Sequence, residues 1–249
     1  MTDLALVTGG ARRIGADICR HLHQQGMDIA LHYRHSIQAA EQLAAELNAR
    51  RPDSCQLWHA DLATVDSIAR LADAFLQRHP RLTLLVNNAS GFEPTPIEQC
   101  NEQQFDAMLT SNLKGPYFLI QALLPALRAA GGSIVNLIDI HSERPLRDYN
   151  AYCAAKAGLA SLTRSLALEL GPAVRVNGVS PGVILWPEDE EAYDATLRAQ
   201  MVAATPMNRT GSPDDIARSV AFFALEAPFI TGQILAVDGG LGFALPRTT

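Results

Sequence analysis

The sequence predicts an α/β chain built on a parallel sheet with helices on both faces. Three observations carry this. Short β-rich runs alternate with longer segments of 3.6-residue apolar periodicity from one end of the chain to the other. Several of the short runs are continuously apolar, as in Leu84-Leu85-Val86, which suits strands covered on both faces. The first run ends in Thr8-Gly9-Gly10, the composition of a tight strand-to-helix turn.

In chain order, the strands are expected at Leu4–Thr8, Asp28–Tyr33, Ser54–His59, Leu82–Asn87, Ser133–Asp139, Arg175–Ser180 and Ile234–Val237. Helical periodicity fills the segments between them, for example Ile37–Ala49, Val65–Arg78 and Ala151–Leu170. This alternation calls for a doubly wound, seven-stranded sheet. No linker, repeat or low-complexity segment divides the 249 residues, so residues 1–249 read as a single domain. One long stretch, from Pro181 to about Pro213, lacks a clear period and reads as an irregular lid over a site. Its acidic run, Glu188-Asp189-Glu190-Glu191, reads as a solvated face.

Composition narrows the function. With 48% apolar and 18% charged residues, the chain is neither disordered, collagenous nor coiled coil. A net charge of −6 makes it a poor nucleic-acid binder, because phosphate neutralisation needs an excess of cations. No signal peptide precedes the first strand and no apolar run is long enough to span a bilayer, so no membrane partner is expected. Cys19, Cys55, Cys100 and Cys153 form no C-x-x-C, which favours reduced thiols and a cytoplasmic location over disulfides or zinc. The histidines form no H-E-x-x-H, and no metal site is expected. Among 20 basic residues only Lys114 and Lys156 are lysines, a hint that an ammonium is needed at one of them.

Two turns point to a dinucleotide. Gly9, Arg12, Arg13, Ile14 and Gly15 lie between the first strand and the first helix. There, glycine permits close backbone approach and the helix N-terminus offers free N–H groups to a pyrophosphate. Taken alone, the cluster is equally an ordinary glycine-rich turn. The second strand ends in His32-Tyr33-Arg34-His35-Ser36, where an NAD site places an acidic residue to hold the ribose. An arginine with imidazole and hydroxyl neighbours would attract a 2′-phosphate, so NADPH is the expected cofactor. Asp61 and Leu62 after the third strand, and Asn88, Ala89 and Ser90 after the fourth, are polar strand ends open to either turn chemistry or cofactor contact.

Tyr152-Cys153-Ala154-Ala155-Lys156 opens a helix and puts a phenol and an ammonium on one face. The ammonium is expected to lower the tyrosine pKa from about 10 and make it a usable proton donor.

Thr8-Gly9 with Gly15, Asn87-Asn88-Ala89, Asn112, Tyr152-x-x-x-Lys156 and Pro181-Gly182, in this order, resemble the classical short-chain dehydrogenase/reductases. The likeness runs on to Asp238-Gly239-Gly240. It implies a Rossmann-type fold, hydride transfer from a nicotinamide, Asn112 holding a relay water, cofactor contacts from Tyr152, Lys156, Pro181 and Gly182, and a homotetramer. Two positions depart from the general pattern. Arg13 stands at the second fingerprint glycine, and Asp139 stands where the family has its catalytic serine. Both departures, with His32–Ser36 and Asn88-Ala89-Ser90-Gly91-Phe92, resemble the pteridine reductase branch, including bacterial dihydromonapterin reductases. That branch implies an Asp139–Tyr152–Lys156 set acting on a pterin or folate. In it Phe92 stacks on the ring, while Ser90 and Arg13 reach both cofactor and substrate. Two other readings stay open at this point: a carbonyl reductase of 3-oxoacyl or sugar substrates, and an NADPH-binding regulator without turnover.

Overall fold

The computed structural model describes residues 3–186 and 194–243. Seven strands form one sheet: β1 (Leu4–Val7), β2 (Asp28–Tyr33), β3 (Cys55–His59), β4 (Leu84–Asn87), β5 (Ser133–Leu137), β6 (Arg175–Pro181) and β7 (Ile234–Val237). Their order across the sheet is β3-β2-β1-β4-β5-β6-β7, with every pairing parallel. The expected doubly wound, Rossmann-type fold is therefore present. The order reverses between β1 and β4, and ligands of such sheets bind at the carboxyl ends of the strands flanking that reversal.

The strand sequences explain the two-sided packing. In β1, Ala5 and Val7 join one core layer while Leu6 joins the other, and β4 repeats this with Leu84 and Val86 against Leu85. The first layer is covered by α1 (Arg13–Gln24), α2 (Ile37–Arg50) and α8 (Pro213–Ala221). The second is covered by α3 (Val65–Arg78), α5 (Gly115–Ala130) and α6 (Asn150–Leu170). Each helix turns its apolar stripe inward, such as Ile68, Leu71 and Phe75 of α3. Of the described helices, none is long and apolar enough to cross a membrane. The four cysteines are free thiols.

The features not foreseen have local causes. Thr8 and Asp139 lie just beyond their strands. Thr8 sits in the turn into α1, and the Asp139 carboxylate caps a short 3₁₀ turn by accepting the His141 N–H at 2.9 Å. The stretch after Pro181 is not wholly irregular, because it contains α7 (Ala195–Ala204), capped by the Asp194 carboxylate on the Leu197 N–H at 2.8 Å. No residue of α7 is fully buried, so it carries no apolar stripe that periodicity could reveal. The acidic run Glu188–Glu191 lies outside the described residues. Finally, α4 (Glu102–Leu109) passes into α5 through a π-helical segment, Thr110–Lys114, which carries Asn112.

A buried polar chain crosses the centre of the second layer. The Asn87 amide donates to Asn136 Oδ1 at 2.8 Å, and the Asn136 amide donates to Thr163 Oγ1 at 2.9 Å. Replacing Thr163 with Val would leave the Asn136 amide unpaired in the interior. Unfolding free energy should fall by about 1–3 kcal/mol, read as a lower midpoint in urea denaturation. An unchanged midpoint would show that the amide finds another acceptor.

Candidate active site

The turn after β1 is stitched to the turn after β4. Thr8 Oγ1 donates to the Val86 carbonyl at 3.2 Å and accepts the N–H groups of Asn88 and Ala89 at 2.9 and 3.0 Å. The Asn88 amide in turn donates to the Thr8 and Gly9 carbonyls. Gly9 is left-handed at φ +61°, and a Cβ on Gly15 would lie only 2.2 Å from the Gly9 carbonyl oxygen. Helix α1 thus begins as close to this turn as a backbone allows. No side chain caps it and its first turn holds no acidic residue, so its N-terminus suits an anion.

Arg13 also adopts a left-handed conformation, φ +53°. It therefore keeps the backbone shape that a glycine would take at this position, at a cost of roughly 1–2 kcal/mol. Its Nη2 donates to the Trp186 carbonyl at 2.9 Å, joining the first turn to the segment after β6.

The end of β2 divides the expected cofactor residues. His32 is buried, accepts the Gly9 N–H on Nδ1 at 3.2 Å, and donates from Nε2 to the Ala60 carbonyl at 3.1 Å. Burial pulls its pKa down to about 4, so the ring is neutral. The expected imidazole donor to a phosphate is thus not available in His32, which instead braces the Gly9 turn from inside. Tyr33 is also buried, its ring 5.4 Å from that of His59. Arg34 is half exposed and lies 3.6 Å from the Asp61 carboxylate. His35 is exposed, and the hydroxyl of Ser36 does not cap α2, so Arg34, His35 and Ser36 form the open end of this strand. Leu62 follows Asp61 and brings its carbonyl against Gly115 at the start of α5.

Beyond β4, Ser90 Oγ donates to Asn112 Oδ1 at 2.7 Å, and the Asn112 amide donates to the Gly91 and Met108 carbonyls, each at 3.0 Å. The side chain of Asn112 therefore clamps the Ser90–Gly91 turn and has no donor left over for a relay water. Its main-chain carbonyl lies in the π-helical segment, four residues before Pro116, which has no N–H to give. The ring of Phe92 stacks on Tyr149 at 4.4 Å and stands perpendicular to Tyr152 at 4.9 Å.

Asp139, Tyr152 and Lys156 meet at the ends of β5 and α6. The Tyr152 hydroxyl donates to Asp139 Oδ2 at 2.7 Å, while Lys156 Nζ donates to the Leu137 carbonyl at 2.9 Å. Both Tyr152 and Lys156 are almost fully buried. Burial pushes the Tyr152 phenol well above its ordinary pKa, and the adjacent Asp139 carboxylate pushes it further. The expected lowering by Lys156 does not occur. The ammonium lies 5.6 Å from the ring centroid and spends a hydrogen bond on the backbone, whereas the carboxylate accepts a hydrogen bond from the phenol directly. Burial pulls Lys156 itself down to about 8.

These groups line an open cavity of about 580 Å³ at the carboxyl end of the sheet. Arg12, Arg13, Ile14, Asn88, Ser90, Phe92, Asp139, Tyr152, Lys156, Pro181 and Gly182 all border it. The residues from His32 to Ser36 and Asp61 do not, because they sit at β2 and β3, farther along the sheet edge. Met201 of α7, Trp186 and Leu241 also border the cavity; the first two lie in the stretch expected as a lid, but none of the three was singled out in the sequence. They follow the Pro181-Gly182 and Asp238-Gly239-Gly240 motifs but belong to neither, and the fold brings them to the cavity.

The cavity offers a carboxylate acceptor, a phenol that holds its proton, an aromatic ring and an uncapped helix N-terminus. Known proteins to which the chain is similar are oxidoreductases. Residues 9–242 match the family described as enoyl-(acyl carrier protein) reductase. The chain is 35% identical to pteridine reductase 1 of Leishmania tarentolae over 95% of each chain. It is also 35% identical to the 3-oxoacyl-[acyl-carrier-protein] reductase FabG of Staphylococcus aureus, over 97% of this chain and 98% of the other. An uncharacterised oxidoreductase of Mycobacterium tuberculosis is 36% identical over 96% and 92% of the two chains.

The electrostatics of Tyr152 have a spectroscopic consequence. Its phenol should remain protonated at about pH 9, where an activated tyrosine would have begun to ionise. The ultraviolet difference spectrum between the parent protein and Tyr152→Phe should contain no phenolate band at that pH. A band assigned to Tyr152 near neutral pH would reverse the assignment of Asp139 as the dominant neighbour.

Proposed function

Because the chain belongs to the short-chain dehydrogenase/reductase family, we propose that it is an NADPH-dependent pteridine reductase, adding hydride to a C=N bond of a dihydropterin to give the tetrahydropterin. The observation that carries this reading is the Asp139 carboxylate, which accepts the Tyr152 hydroxyl at 2.7 Å inside the cavity. A carbonyl reductase needs a hydroxyl donor at that place, because a developing alkoxide is repelled by a carboxylate. A pterin presents amino and ring N–H groups, for which a carboxylate is the matching acceptor.

The cofactor reading rests on the fit of the first turn. Gly9, Gly15 and the uncapped start of α1 make a cradle for a pyrophosphate, with Arg12, Arg13 and Ile14 around it. Arg34, His35 and Ser36 would hold the 2′-phosphate, with Asp61 and Leu62 beside the adenine end. Asn88, Ala89, Ser90, Pro181 and Gly182 would wall the nicotinamide end, and Lys156 would hold its ribose. Bound NADPH supplies the hydride.

The chain's own groups do the rest. Phe92 offers a flat surface to the ring, and Ser90 and Arg13 hold its edge. Asp139 accepts the substrate's N–H groups, and this pairing draws its charge away from the phenol. Tyr152 then gives its proton to the ring nitrogen as negative charge develops there. The phenolate regains a proton through a water held at the Asn112 carbonyl. The segment after β6, described at residues 181–186 and 194–213, would serve as the lid of this single catalytic domain, which we place in the cytoplasm as a homotetramer.

The equal identity to a 3-oxoacyl reductase favours a second reading, a carbonyl reductase with an altered serine position. Following loss of NADPH with a dihydropterin, dihydrofolate and a 3-oxoacyl ester side by side separates the two. Dihydropterin should be consumed and the ester ignored. Tyr152→Phe should lower turnover ~10²–10⁴-fold with NADPH binding retained. Asp139→Ser should abolish pterin reduction. Ready reduction of the ester with no turnover of either pteridine would establish the carbonyl reductase instead.

Cofactor preference gives an independent test. A charge-assisted phosphate contact is worth about 1.5–3 kcal/mol, roughly tenfold or more in affinity. NADPH should therefore bind at least about tenfold more tightly than NADH, and Arg34→Asp should erase or invert that ratio. Equal affinities in the parent enzyme would remove Arg34 from the 2′-phosphate site.

A further inference from the structure

Phe92 is supported from behind. Its ring is about one-third exposed and borders the cavity, and Tyr149 stacks on it with 4.4 Å between centroids and 16° between planes. Tyr149 itself does not border the cavity. It is the residue that introduces α6, three positions before Tyr152, and its carbonyl accepts the Cys153 N–H at 2.9 Å. Its ring packs beside a small cluster of Met108, Ala151, Tyr152 and Cys153, separate from both main core layers. No hydrogen bond involves the Tyr149 hydroxyl among the described residues, so the face of the ring is what it contributes.

We propose that Tyr149 is a positioning residue for substrate, setting the plane of Phe92 so that a flat heterocycle entering the cavity completes a three-layer stack of substrate, Phe92 and Tyr149. The inference rests on the pterin reading of the site. Its physical basis is that Phe92 stands on a turn beyond β4, where only its neighbours hold the ring. Gly91 supplies no side chain, and it lies so close to Ser111 and Met108 that an added Cβ would come within 2.9 Å of Ser111 Oγ. The turn is held by the Asn112 side chain on Ser90 and Gly91, and the Phe92 ring lies against Tyr149 and Tyr152. Because Tyr152 and Tyr149 leave the same end of α6, the stacking surface and the proton donor are referenced to one rigid element. An aromatic face-to-face contact orients a ring plane, which a branched aliphatic side chain of similar bulk does not do.

The test is steady-state kinetics on the full-length enzyme with NADPH and a dihydropterin. Tyr149→Leu should raise the dihydropterin KM about threefold to tenfold, the usual worth of one aromatic pair, with kcat within about twofold. Tyr149→Phe, which keeps the ring, should restore the parent KM. In a Phe92→Leu background, Tyr149→Leu should add nothing, because the ring it orients is gone. Should Tyr149→Leu fail to fold, Tyr149→Met carries the same expectation, with folding verified by NADPH binding. An unchanged KM, a loss confined to kcat, or additivity with Phe92→Leu would overturn the proposal. A parent enzyme that reduces no pteridine would instead overturn the functional reading on which it rests.

Discussion

Thr8 and Asn88 join the two turns that leave the sheet on either side of its reversal, and the rest of the site is built outward from that joint. At the reversal, β1 and β4 are neighbours whose following segments diverge to opposite faces. Diverging chains open a crevice, and a crevice lined by backbone needs its polar groups paired. The Thr8 hydroxyl does this by giving one hydrogen bond and receiving two, and the Asn88 amide returns two more. His32 adds a third support from β2, holding the Gly9 N–H while its own far nitrogen is fixed on Ala60. With these bonds in place, the start of α1 and the Ser90–Phe92 turn face one cavity.

Inside that cavity, the charge balance is set by Asp139. A phenol next to an ammonium would be acidic; a phenol donating to a carboxylate in a buried site keeps its proton. Here the second arrangement prevails, because Asp139 is in direct hydrogen-bond contact and Lys156 is turned to the Leu137 carbonyl. The same carboxylate also holds the His141 N–H, so its position is fixed from two sides. A group that can occupy its remaining lone pairs would relieve the burden on Tyr152. On the proposed pteridine reading, this would tie recognition of an N–H-bearing edge to release of the proton.

Around this pair, conformational strain and packing converge on the same cavity. Arg13 tolerates a left-handed backbone where glycine is the easier residue, and it reaches across to Trp186. The π-helical segment turns Asn112 inward to clamp the Ser90–Gly91 turn. Local departures from regular helix geometry of this kind persist only where the surrounding contacts require them. Arg13 and the Thr110–Lys114 segment both stand at the carboxyl edge of the sheet, whereas a second π-helical segment, Phe222–Glu226, packs into the first core layer.

Much of this was legible in the sequence, and the division follows from the range of the interactions. The strand count, the sheet class and the turn after β1 come from local properties: apolar runs, helical period and glycine placement. The partnership of Tyr152 and Lys156 is also local, because one helix turn fixes it. Asp139 was legible as a residue out of place, thirteen positions before Tyr152, but its effect on the phenol was not. That sign depends on which charge lies nearest in space and on burial, neither of which is encoded in spacing. His32 shows the same limit, since an imidazole after a strand looks like a ligand until its burial and its two backbone partners are known. Met201, Trp186 and Leu241 come to the cavity from distant segments, and α7 packs too lightly to impress a period on its sequence. The sequence by itself determined the elements and the chemical types available to the site. The tertiary structure alone decided which groups touch and which proton is held, because those depend on distance and desolvation across residues far apart in the chain.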